Sequence, residues 1–133
     1  MDEAEVTHWF GSYLSDFAAL GRGDIEDVRR ILLHYAVPMT LSTDAGCMIL
    51  TNEAQVLAAT QQQIDGMRTA GYHHSDQIAA GTTIPNRSCA LHHGRFVRLR
   101  ADGSEISRLD ATYLIADVPA GRRISAIIVH SAP

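Results

Sequence analysis

Apolar residues recur at spacings of three and four near the start of the chain, at Val6, Trp9, Phe10, Tyr13, Leu14, Phe17 and Leu20. This is the period of one buried helix face. Asp2, Glu3 and Glu5 place negative charge at the positive end of that helix, and Gly21-Arg22-Gly23 supplies its stop. A second helix is predicted to start at Asp24, with Asp27 completing a box-like cap. Its buried side would carry Ile25, Val28, Leu32 and Tyr35. Pro38 forbids continuation and pushes Val37 toward an extended form. Short strands are predicted at 39–43 and 47–51 about the turn Asp44-Ala45-Gly46. Asn52 with Gln55 signals a third helix, with Val56, Leu57, Thr60, Ile64 and Met67 inward and Gly71 at its end.

Beyond Tyr72 the punctuation becomes that of strands. Pro85-Asn86-Arg87, Ala101-Asp102-Gly103 and Pro119-Ala120-Gly121 are turn signals. They divide the remainder into strands at about 72–84, 88–100, 104–117 and 122–130. Asp-Gly between alternating runs is a strong hairpin signal. Three helices followed by a strand meander predict an α+β domain, its helices on one face of an antiparallel sheet. With no repeat or linker, residues 1–133 read as one domain.

Composition narrows the class. A chain of 133 residues with 46% hydrophobic and 20% charged positions can build a core, which excludes a disordered tail or a disulfide scaffold. Fifteen acids face eleven bases, all of them Arg, for a net charge of −4. That balance argues against a general nucleic-acid binder. Arg95, Arg98, Arg100 and Arg108 form a local group, read as the solvated face of strands. Cys47 and Cys89 lack metal-site spacing and read as small buried hydrophobes in a reducing compartment. The acidic N-terminus lacks a secretion-signal layout, and no apolar run approaches a membrane span. The expectation is a cytoplasmic protein without membrane partners.

Several stretches carry a family likeness: His8-Trp9-Phe10-Gly11-Ser12-Tyr13-Leu14, Gly23-Asp24-Ile25-Glu26, His34-Tyr35-Ala36, and the strand–turn–strand from Asp117 to Ile124 with its Gly-Arg-Arg-Ile. In these stretches and in element order the chain resembles the nuclear transport factor 2-like superfamily and its SnoaL-like branch, most of all small bacterial members without an assigned activity. The resemblance covers nearly the whole chain. It implies three N-terminal helices packed in a strongly curved, mostly antiparallel sheet, forming a cone. It also implies that the cone's open end is a ligand pocket and that the outer sheet face makes a homodimer. The superfamily spans isomerases, hydratases, polyketide cyclases and non-catalytic association domains.

Catalytic sets of that superfamily can be tested residue by residue. Ketosteroid isomerases use a Tyr on the first helix, an Asp after the second and a protonated Asp on a late strand. Those positions fall at Asp16 (Tyr13 lies one turn earlier), near Thr43 or Asp44, and at Tyr113. In epoxide hydrolases of the superfamily an Arg flanked by two strand Asp residues activates water. Arg95 could stand for that Arg, but the Asp positions hold Val97 and Val129. Neither set is complete.

A two-residue turn at Asp102-Gly103 places Arg95 opposite Asp110, Arg100 opposite Glu105, Phe96 opposite Leu109 and His92 opposite Tyr113. The Arg95–Asp110 pair is a structural cross-strand pair or, in the sharper reading, a polar anchor within the cone with Asp110 as base. Seven His invite a metal reading, through one of His73-His74, one of His92-His93, and His130. Adjacent residues on a strand face opposite ways and the spacing matches no known ligand set, so no metal and no cofactor are expected. Trp9, Tyr13, Phe17 and Tyr35, with Arg95, Asp110 and Tyr113, are the candidate pocket residues. The leading expectation is a binding domain for a small apolar molecule. Alternatives are a small isomerase, hydratase or cyclase using Asp110, Arg95 and Tyr113, and a protein-association module.

Overall fold

The computed structural model describes residues 1–132. Helix α1 runs Glu3–Arg22, with Val6, Phe10, Tyr13, Phe17 and Leu20 buried as the period requires. Asp2 caps it by accepting from the Glu5 amide at 2.8 Å. Gly23, at φ 88°, turns the chain out in the left-handed region. The same closure sends the amides of Asp24 and Ile25 to the Ala19 carbonyl.

That closure changes the predicted second helix. The Asp24 amide is spent on α1 and its carboxylate pairs with Arg22 at 2.9 Å, so it does not start a new element. Asp27 caps instead, and only the short 3-10 helix Val28–Leu33 follows. Tyr35, assigned to the helix face from sequence, already belongs to strand β1, Tyr35–Thr43. Strand pairing there overrides a helix too short to be stable by itself.

Strands β2 (Gly46–Leu50), β3 (Tyr72–Asn86), β4 (Cys89–Arg100), β5 (Glu105–Val118) and β6 (Gly121–Val129) complete one sheet in the order β2-β1-β6-β5-β4-β3. All neighbours are antiparallel except β1 and β6. The β1–β6 register shifts between Tyr35 and Thr40, the span that contains Pro38, which has no amide to give to a ladder. Shifts within β3, β4 and β5 bend the sheet into an open, curved layer.

Helix α2, Glu53–Thr69, starts at Asn52, whose side chain accepts from the Gln55 amide. It buries Val56, Thr60, Ile64 and Met67, the face read from sequence. Helix α1 packs on β3, and α2 packs on α1, the 3-10 helix and β1. Phe10, Leu20, Ile31, Ile64, Ile115 and Ile124 are fully buried in the resulting core. Among the described residues no helix is long and apolar enough to cross a membrane.

The β4–β5 hairpin departs from the simple turn. Its loop is three residues, 101–103, closed by the Arg100 amide on the Ser104 carbonyl at 2.9 Å, with Gly103 at φ 85°. Leu99 therefore faces Glu105, where Arg100 was expected. A bulge next to Arg98 and Leu99 restores the register. Arg95 faces Asp110, Phe96 faces Leu109 and His92 faces Tyr113, as the turn signal predicted.

Candidate functional site

Alternation along a strand sends successive side chains to opposite faces. On β4 it turns His92, Phe96 and Arg98 toward the helices and His93 and Arg95 away. On β5 it turns Leu109, Ala111 and Tyr113 inward and Asp110 and Thr112 outward. The candidate residues are thereby divided between two places.

The inner place is a narrow cavity of about 70 Å³. Tyr13, Phe17 and Leu14 of α1 wall one side of it, and Tyr35, Phe96, Leu109, Tyr113 and Ile127 of the sheet wall the other. Its buried end is aromatic: the Tyr13 and Tyr35 hydroxyls are hydrogen-bonded at 2.8 Å, and the Tyr113 ring lies 6.1 Å from that of Tyr13. Its more exposed end carries Gln63, Ser75 and Arg98. The Arg98 guanidinium lies over the Phe17 ring at 5.8 Å. Burial pushes the Tyr35 phenol up to about 12, against smaller lowering by the Tyr13 hydrogen bond and Arg98. Burial also raises Tyr13 and Tyr113, with repulsion from the Tyr35 hydroxyl adding to it. All three stay neutral at physiological pH; one hydroxyl of the Tyr13–Tyr35 pair donates to the other, which leaves the second hydroxyl of the pair and that of Tyr113 to donate to a ligand oxygen. None of the described lining residues is an Asp, Glu or His, and Arg98 is their one charged group.

Of the sequence candidates, Tyr13, Phe17, Tyr35 and Tyr113 meet in this cavity. Trp9 does not line it; its ring stands edge-on to His34 at 5.7 Å. Arg98 was assigned to a solvated Arg face with Arg95. Its parity with Phe96 across an uninterrupted stretch of β4 was the signal that separates the two.

The outer place is a side-chain cluster on the opposite sheet face. Asp110 accepts from Arg95 at 3.3 Å and from His93 Nε2. The hydrogen bond with His93 holds the Asp110 carboxyl below its ordinary range, outweighing its desolvation, and Arg95 adds to the effect. A carboxylate held this way is a weaker base than a free one. His130, just past β6, brings its ring to 5.1 Å from that of His93. Ligating atoms of His93, Asp110 and His130 all lie within 4.8 Å of one another. His73 and His74, expected on opposite faces, bring their Nδ1 atoms to 2.9 Å at a register shift in β3.

The family described as NTF2-like protein (DUF6841) matches residues 2–132. The chain belongs to this NTF2-like family. No curated protein matches the sequence. Solved structures of similar fold include a putative calcium/calmodulin-dependent protein kinase II association domain from Xanthomonas campestris, 11% identical with a TM-score of 0.70, covering 100% of this chain and 89% of that one. An NTF2-like protein of unknown function from Shewanella oneidensis is 15% identical with a TM-score of 0.68, covering 94% and 98%. Aln2 from a Streptomyces species is 12% identical with a TM-score of 0.67, covering 96% and 88%. These likenesses support the NTF2-like cone, its helices held in an open curved sheet.

Proposed function

We propose that this NTF2-like domain, of the SnoaL-like kind, binds a small, mostly apolar molecule with an oxygen or anionic head in the inner cavity, in the cytoplasm. One observation carries the reading: an aromatic cavity ends in a pair of buried neutral Tyr hydroxyls at one side and in Arg98 at the other. Apolar walls with a few placed polar groups are the usual make-up of a ligand site. The small volume favours a ligand of few heavy atoms. Cys47 and Cys89 are not the buried residues expected from sequence: Cys47 is exposed and Cys89 half-buried, and a free exposed thiol suits a reducing compartment.

The isomerase or hydratase alternative needs Asp110, Arg95 and Tyr113 around one substrate. Asp110 and Arg95 project from the face opposite Tyr113, which favours binding over proton transfer by that set.

Benzoate and indole, titrated by protein-observed NMR, test the binding. Saturable shifts should centre on Tyr13, Tyr35 and Phe96. Arg98→Leu should weaken benzoate by about tenfold, the value of one charged contact, and leave indole nearly unchanged. If neither probe saturates, or the shifts fall elsewhere, the reading is wrong.

We further propose a homodimer through the outer sheet face. Ile49, Thr40, Ala126, Leu114 and Leu91 lie in one register row across five strands, and Ile128 occupies the next row. Ile49, Leu91 and Ile128 are 65%, 39% and 47% exposed, an apolar stripe that a second copy would cover.

A further inference from the structure

We propose that His93, Asp110 and His130 form a binding site for a divalent transition-metal ion on the outer sheet face, separate from the cavity. His93 and Asp110 come from adjacent strands and His130 directly follows the next one, and the backbone fixes each. His93 faces Thr112 in the β4–β5 ladder, and Asp110 faces Arg95. The His130 amide donates to the Asp110 carbonyl at 2.8 Å, which ties the residue after β6 to β5. Side chains rooted on a sheet keep their relative positions better than side chains on loops.

The donor atoms are close enough to share one ion. Metal–nitrogen and metal–oxygen bonds of about 2.0–2.1 Å require donors about 3 Å apart. Ligating atoms already within 4.8 Å need only small side-chain rotations. Room for them exists, because the side chains of His93 and Asp110 are 40% and 29% exposed and His130 is exposed. An ion would separate His93 Nε2 from the Asp110 oxygen it now touches and take the place of the shared proton.

The surroundings suit the role. Arg95 holds Asp110 Oδ2 at 3.3 Å and leaves Oδ1 facing His93. Thr112 Oγ1 lies 2.7 Å from His130 Nε2 and sets that ring. Such outer partners orient metal ligands. Two imidazoles and one carboxylate are a donor set for zinc, cobalt, nickel or ferrous iron, and three ligands leave positions open. The open side adjoins a depression of about 430 Å³ bordered by Arg95 and Arg108, so an anion is the exogenous ligand this corner would accept.

The full chain, stripped with chelator, is titrated with Zn²⁺ by calorimetry and with Co²⁺ by visible absorption. A single ion per chain should bind in the micromolar range. His93→Ala, His130→Ala and Asp110→Asn should each abolish the Co²⁺ ligand-field bands, Arg95→Ala should weaken Zn²⁺ by about tenfold, and His73→Ala should change nothing. Imidazole NMR of the unmodified chain is independent of any variant's folding. Zn²⁺ should shift His93 and His130 and leave His8 unmoved. No binding in this range, binding that survives all three ligand substitutions, or shifts centred on His73 and His74 would overturn the proposal.

Discussion

Asp16 accepts from His34 at 2.8 Å and from Arg30 at 3.0 Å. Burial works against its charge, yet the hydrogen bonds from His34 and Arg30 outweigh burial and hold the carboxyl below its ordinary value. A depressed folded value stabilises the fold above the ordinary carboxylate range of about 3.9, and that stabilisation is lost as pH falls through the lower folded value. His34 is buried and its Nδ1 has no partner among the described residues. Asp16→Ala strips the other nitrogen as well. Urea denaturation should show a loss of about 1–3 kcal/mol at neutral pH. The gap to the unmodified chain should narrow when the measurement is repeated near pH 3. An equal gap at both pH values would remove the charged hydrogen bond as its cause. At this scale, residue type by itself said little: Asp16 looked like a mismatched catalytic position, whereas its partners make it the anchor of a buried His.

Elements were the most legible scale. The α1 stripe, the α2 face and the alternation of β4 and β5 are local patterns, set by neighbours two to four residues apart. Arg95 meets Asp110, as a two-residue turn would place it, because the longer loop and the bulge shift the pairing in opposite directions. Arg100 and Glu105 were misplaced because a three-residue loop and a bulge offset each other, and neither leaves a distinct composition. The second helix was overread because the α1 closure consumes the amides around Asp24. Gly94 shows how finely β4 is fitted to the cavity. A Cβ there would stand 2.5 Å from the Phe96 ring, which itself lines the cavity. Gly94→Ala should cost about 1–3 kcal/mol by thermal or chemical denaturation, as overpacking does, and should displace Phe96 into the ligand space. A variant of unchanged stability and unchanged probe binding would show that the ring moves aside freely.

On the scale of the whole molecule, the curved sheet gives the protein two unlike faces. The concave face closes over α1 and α2 around the aromatic cavity. The outer face carries the Ile49–Leu91 row and, at one corner, the His93–Asp110–His130 cluster. Leu91→Glu puts a charge at the β4 end of the proposed dimer stripe, on a residue already 39% exposed. Sedimentation should then show a monomer with an unchanged circular-dichroism spectrum. If the unmodified chain already sediments as a monomer, the stripe serves something other than self-pairing.

The amino-acid order alone determined helices α1 and α2 with their buried faces, the strand segments and the family likeness, because each is written in short-range spacing or in matched stretches. Only the tertiary structure decided that β6 lies between β5 and a parallel β1, that Arg98 joins Tyr13, Phe17 and Tyr35 around one cavity, and that His130 meets His93 and Asp110. Periodicity says which side of a strand a residue occupies but not which strand becomes its neighbour. That choice is made by burying the apolar surface of the whole chain at once.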